Sequence, residues 1–108
     1  PCLGRKIAVL GDMLELGEIK VQAHKNMGIL LAKSDFKYLI AIGDQSKHTA
    51  QCSIKNGLSD RNVFSCETKD EAVIILNKIV RKNDLVLVKG SRKMKLEELV
   101  DQLKNNFI

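Results

Sequence analysis

The segment Lys89-Gly90-Ser91-Arg92 puts two cations, a hydroxyl and a glycine in four residues, directly after the aliphatic run Leu85-Val-Leu-Val88. Arg92 offers a planar fork for a carboxylate or phosphate, with Lys89 as a second point charge. A helix start nearby would add free backbone N–H groups, which favour anions by themselves. Anion binding is one reading of this loop, and a solvated turn with an N-capping Ser91 is the other. The second candidate is Gly11-Asp12-Met13-Leu14-Glu15-Leu16-Gly17, where Asp12 ends the run Ile7-Ala-Val-Leu10 and could orient an amine, a cation or a facing arginine. Met13, Leu14 and Leu16 are too apolar for a free loop, so they pack beneath it or meet a partner domain. Asp44 after Gly43 repeats the pattern, and a helix cap is its preferred role. His24 reads as a hydrogen-bonded structural group, and His48 as exposed.

Other chemistry finds no motif. There is no GxxxxGK[ST] phosphate loop, no GxGxxG after a strand and no serine or cysteine in a nucleophile setting. No catalytic residue is assigned, and the chain reads as part of a site. Cys2, Cys52 and Cys66 are odd in number, without a CxxC pair or matching histidines. Reduced thiols are expected, and no metal. Eighteen basic against thirteen acidic residues give +5, which favours anionic partners. One tyrosine and no tryptophan argue against a nucleic-acid stacking surface. No apolar stretch approaches the ~20 residues of a membrane span. No signal-peptide order opens the chain, so no membrane and a cytoplasmic location are expected.

The elements that must carry these loops follow from periodicity. Uninterrupted aliphatic runs mark strands buried on both faces, expected at Lys6–Leu10, Tyr38–Ile42 and Asp84–Val88, with a short, weaker one at Asn62–Ser65. Between them lie helical patterns. The first spans Glu18–Lys33, with Ile19, Ala23, Met27, Leu30 and Leu31 toward the sheet. The second starts at Ser46 as N-cap and ends at Gly57 as a left-handed C-cap. The third opens on a Thr68–Glu71 capping box and presents Ala72, Ile75, Leu76 and Ile79. A last helix presents Leu96, Leu99, Val100 and Leu103. Alternating strands and helices predict one α/β domain over 1–108, a mostly parallel sheet covered on both faces. Earlier elements are expected upstream of residue 1.

Two segments together resemble a known family. Gly4-Arg5-Lys6-Ile7-Ala8-Val9-Leu10-Gly11-Asp12-Met13-Leu14-Glu15-Leu16-Gly17, with His24 and Gly28 beyond, is similar to the opening of the C-terminal domain of a Mur ligase. Leu87-Val88-Lys89-Gly90-Ser91-Arg92, then Met94-Lys95 and Glu97, resembles the late signature of the same domain. The resemblance runs from Gly4 to Leu103. It implies a Rossmann-like three-layer sandwich lacking its first strand and helix, the C-terminal domain of a three-domain cytoplasmic enzyme. Such an enzyme uses ATP and Mg2+, bound mainly by a central ATPase domain, to join D-alanyl-D-alanine to UDP-N-acetylmuramoyl-tripeptide in peptidoglycan biosynthesis. Lys89, Gly90, Ser91 and Arg92 would then face the dipeptide and the reacting phosphate, with Asp12 in the facing loop and His24 and Asp44 as structural or supporting positions. No cofactor is expected in this chain alone, and the isolated chain is expected to be inactive. The alternatives are a non-catalytic α/β binding module and a receiver-like signalling module, the latter needing clustered carboxylates around magnesium.

Overall fold

The computed structural model describes residues 4–13, 17–90 and 95–101. Four strands form one sheet in the order β3-β2-β1-β4, every pair parallel: β1 Lys6–Gly11, β2 Phe36–Ile42, β3 Val63–Cys66 and β4 Leu85–Lys89. The helices are α1 Lys20–Lys33, α2 Ser46–Lys55 and α3 Lys69–Ile79. A last helix, α4, is described over 97–101. A 3-10 turn, Gly17–Ile19, leads into α1.

The strands are continuous aliphatic runs because both faces are covered. On one face Ile7, Val9, Ile40 and Ile42 pack with Ala72 and Leu76 of α3 and Leu96 and Leu99 at α4. On the other, Ala8, Leu10 and Leu39 pack with Leu31 and Met27 of α1. Each of the large aliphatic side chains among them contributes roughly 1.5–3 kcal/mol by leaving water. α1 and α2 cross closely at Gly28, where a Cβ would strike the Thr49 carbonyl of α2 and stand 2.8 Å from the Cys52 Cβ.

The chain steps from β1 to β2 to β3 in one direction, then crosses the whole sheet to β4. Helices α1 and α3 therefore lie on opposite faces, and the order reverses between β1 and β4. Strand β4 is an edge strand whose Leu85 and Leu87 are 49% and 44% exposed.

The amino ends of β1, β2 and β4 are tied together by charge. The Arg5 guanidinium donates to Asp84 Oδ2 at 2.7 Å, to Tyr38 Oη at 3.2 Å and to the Ile79 carbonyl at 2.6 Å. Its backbone N–H adds a bond to Asp84 Oδ1 at 3.0 Å. The hydrogen bonds from Arg5 hold the Asp84 carboxyl down to about 2. That direction is the one expected for a carboxylate paired with a fixed cation.

Several sequence expectations are corrected. Ile19 and Leu30 do not face the sheet; they are 63% and 59% exposed. The buried line of α1 is His24, Gly28 and Leu31, at four- and three-residue steps. Ser46 is not an N-cap residue. Gln45 holds that position, and no side chain of α2 itself caps the helix. Asp44 is no cap either, its side chain meeting Lys47 Nζ at 3.4 Å in solvent. His48 is half-buried rather than exposed. The Thr68 cap stands as expected, its Oγ1 accepting the Glu71 N–H at 3.2 Å. Gly57 likewise adopts a positive φ of 119° just past α2.

Candidate functional site

In an open parallel sheet the crevice for a ligand lies at the carboxyl ends of the strands where the order reverses. Here that point falls between β1 and β4, paired Leu10 to Lys89 at their ends. The two loops singled out in the sequence are the loops leaving these two strands. Lys89 and Gly90 are exposed there. Gly90 lies against Gly11: a Cβ on it would stand 3.1 Å from the Gly11 Cα and 2.7 Å from a Leu96 methyl. Ser91 and Arg92 lie outside the described residues, as do Leu14 and Leu16. The structure thus brings Lys89 and Gly90 beside the start of the Asp12 loop.

Asp12 itself points away from solvent, at 6% exposure. Its Oδ1 accepts the Ser46 N–H at 2.7 Å and the Ser46 hydroxyl at 2.8 Å, and its Oδ2 accepts the Gln45 N–H at 3.2 Å. The first amides of a helix lack partners within it and carry a partial positive charge. A carboxylate reaching in from the β1 loop satisfies them, so Asp12 caps α2 from a distance. Gly43 makes room for it. With φ of 108° and a virtual Cβ only 2.5 Å from Asp12 Oδ2, that position admits no side chain.

The next residue is held from the other side. His24, 1% exposed, accepts the Met13 N–H on Nε2 at 3.1 Å and places Nδ1 2.5 Å from the Lys20 carbonyl. Thr49 of α2 donates to the His24 carbonyl at 2.8 Å. Gly11 pairs with Ile42 of β2, Asp12 is bound to α2, and Met13 is bound to α1. Ser46, Gly43 and Thr49 escaped the sequence reading as partners of this loop. They sit more than thirty residues from Asp12, and nothing in local spacing signals them.

A cavity of about 10 Å³ lies between Leu10, Met13, His24, Met27, Thr49 and Lys89. Larger concavities lie elsewhere. One of about 330 Å³ opens at the amino ends of β1 and β2, lined by Arg5, Lys6, Phe36 and Lys37. Another, of about 310 Å³, lies beside the Lys69–Glu98 ion pair. Neither is lined by Gly11, Lys89 or Gly90, and an open sheet places its ligand where the strand order reverses, so the β1–β4 crevice remains the better candidate.

The described residues do not fit a magnesium site. Among them no three His, Cys, Asp or Glu side chains stand together to hold a metal ion, and the Asp12 oxygens are already occupied by donors. The same observation disfavours the receiver-like alternative, since Asp12 is enclosed and Asp44 faces solvent.

Fold and crevice define an open-sheet parallel α/β domain that offers a cationic loop at its switch point. The chain belongs to the Mur ligase family: residues 1–92 match the family described as Mur ligase, glutamate ligase domain. Among curated proteins it is 36% identical over 100 residues to UDP-N-acetylmuramoyl-tripeptide–D-alanyl-D-alanine ligase of Bacillus subtilis, covering 93% of this chain and 22% of that protein. It is 38% identical to the enzyme of the same name from Buchnera aphidicola subsp. Baizongia pistaciae, covering 93% of this chain and 21% of the relative. Among solved structures, MurF from Acinetobacter baumannii superimposes with a TM-score of 0.81 at 25% identity, over 94% of this chain and 22% of that one. The Thermotoga maritima MurF ligase in complex with ADP shares the fold, with a TM-score of 0.73 at 22% identity, over the same shares. The chain spans about a fifth of the length of the curated relatives it matches. No described helix is long and apolar enough to cross a membrane.

Proposed function

We propose that this chain is the C-terminal domain of a three-domain, ATP-dependent cytoplasmic ligase that joins D-alanyl-D-alanine to UDP-N-acetylmuramoyl-tripeptide in peptidoglycan biosynthesis. The observation that carries the reading is the Lys89-Gly90 loop. It stands exposed beside Leu10 and Gly11, where the anchored Asp12-Met13 turn begins, in a chain similar over 93% of its length to ligases of that name.

In this reading the domain closes over a central ATPase domain, which lies outside this chain and binds ATP and Mg2+. The tripeptide carboxylate is activated there as an acyl phosphate. The dipeptide's amine, once deprotonated, attacks the acyl carbon; the new amide bond forms as the bond to the phosphate oxygen breaks, releasing phosphate. Lys89, Ser91 and Arg92 hold the dipeptide carboxylate or the phosphate, and the Gly90 backbone lets them approach. Asp12 serves by keeping the facing loop in place, since its carboxylate is committed to α2. The chemistry asked of this domain is positioning and charge stabilisation.

Steady-state kinetics of the complete protein test this. Lys89→Met and Arg92→Ala are each expected to lower kcat/KM for the dipeptide by about tenfold or more, the worth of one charge-assisted hydrogen bond. Residues 1–108 alone should form no product. Wild-type kcat/KM in both variants would remove this loop from the site.

A further inference from the structure

We propose that His24 is a positioning residue of the crevice: a neutral imidazole strut that sets the backbone at Met13, and through it the loop facing Lys89 and Gly90. The proposal rests on reading the β1–β4 crevice as the ligand-facing one.

The bonding of the ring assigns its tautomer. The Lys20 carbonyl has no hydrogen to give, so the proton between it and Nδ1 belongs to Nδ1. The Met13 amide can only donate, so Nε2 carries the lone pair. Both ring nitrogens are consumed, and at 1% exposure neither can reach a substrate. This excludes His24 as an acid or base in the reaction and leaves it a mechanical part. Its place is set on two sides. The Thr49 hydroxyl holds the His24 carbonyl, while Asp12, adjoining Met13, is bound to the first amides of α2. His24 and Lys89 also line the same small cavity, so the ring and the end of β4 border one space. A loop fixed to both helices at successive residues presents the same backbone to each incoming ligand, which is what a preorganised site requires.

The test separates a strut from an ordinary core histidine. In the complete protein, His24→Gln places an amide oxygen where Nε2 stood, whereas His24→Asn is too short to reach Met13 and retains only a donor near Nδ1. Hydrogen exchange at the Met13 amide should quicken in His24→Asn by about five- to tenfold, the worth of one hydrogen bond, and stay near wild type in His24→Gln. KM for the dipeptide should rise about as much in His24→Asn with kcat changed less, and recover in His24→Gln. In wild-type protein, 15N NMR should show a protonated Nδ1 and an unprotonated Nε2, a measurement that needs no variant to fold. A protonated Nε2, unchanged exchange at Met13, or faster exchange with unaltered KM would each overturn the proposal. If the complete protein joined no dipeptide at all, the ligase reading would fail, while the tautomer and the exchange at Met13 would still decide whether the strut exists.

Discussion

The Asp12 carboxylate, at the end of β1, receives the backbone N–H and the hydroxyl of Ser46 at 2.7 and 2.8 Å, thirty-four residues away. One side chain thus joins the end of a central strand to the start of the helix that follows its neighbour. The loop that faces the crevice and the helix beside it are held as one unit.

Removing that carboxylate should be costly for stability. Asp12→Ala leaves three donors without their acceptor in a buried place, and about 2–3 kcal/mol is expected to be lost. Gly43→Ala should cost at least about 2 kcal/mol, because its positive φ and the Asp12 oxygens both oppose a Cβ. The two changes act on one contact, so the double variant should lose less than the sum. Urea unfolding of the four proteins measures the coupling, and strict additivity would show the two residues to be independent.

Acid should weaken the other end of the sheet. Asp84 titrates at about 2 in the fold against an ordinary 3.8, chiefly through its hydrogen bonds from Arg5. The unfolded chain therefore takes up this proton first as pH falls. The stabilisation is complete above pH 3.8 and is withdrawn between there and about 2. Asp84→Asn should be less stable at neutral pH and should flatten this part of the pH–stability curve. Equal slopes for the two proteins between pH 4 and 2 would contradict the assignment.

Thiol reactivity should divide by depth. Burial, helped by the nearby Glu71 charge, pushes the Cys66 thiol up from its ordinary range. Cys52, on α2, is only half-buried. Iodoacetamide at neutral pH should label Cys52 in the native protein and Cys66 only after unfolding, as followed by peptide mass spectrometry. Native labelling of Cys66 at the rate of Cys52 would mean that the end of β3 opens readily.

Much of the fold was legible in the residues. Aliphatic runs such as Ile7-Ala-Val-Leu10 and Leu39-Ile-Ala-Ile42 are local signals, and they fall within β1 and β2. The β3 and β4 bounds each moved by one residue, since hydrogen bonding to a neighbour, and not composition, ends a strand. Ile19, just ahead of α1, and Leu30 within it fit an apolar helical line yet are exposed. Helical spacing allowed several faces, and the close crossing with α2 at Gly28 selected the one carrying His24 and Leu31.

By itself the sequence determined that strands and helices alternate, and that each candidate loop follows an aliphatic run. Those are properties of neighbours along the chain. Only the tertiary structure decided that β4 pairs with β1, which sets Lys89 beside Leu10 and brings the starts of the two loops together. It alone turned Asp12 inward to cap α2 and gave His24 the Met13 amide to hold. Such bonds join groups far apart in the chain, and their geometry exists only after the sheet order and the helix crossings have been set.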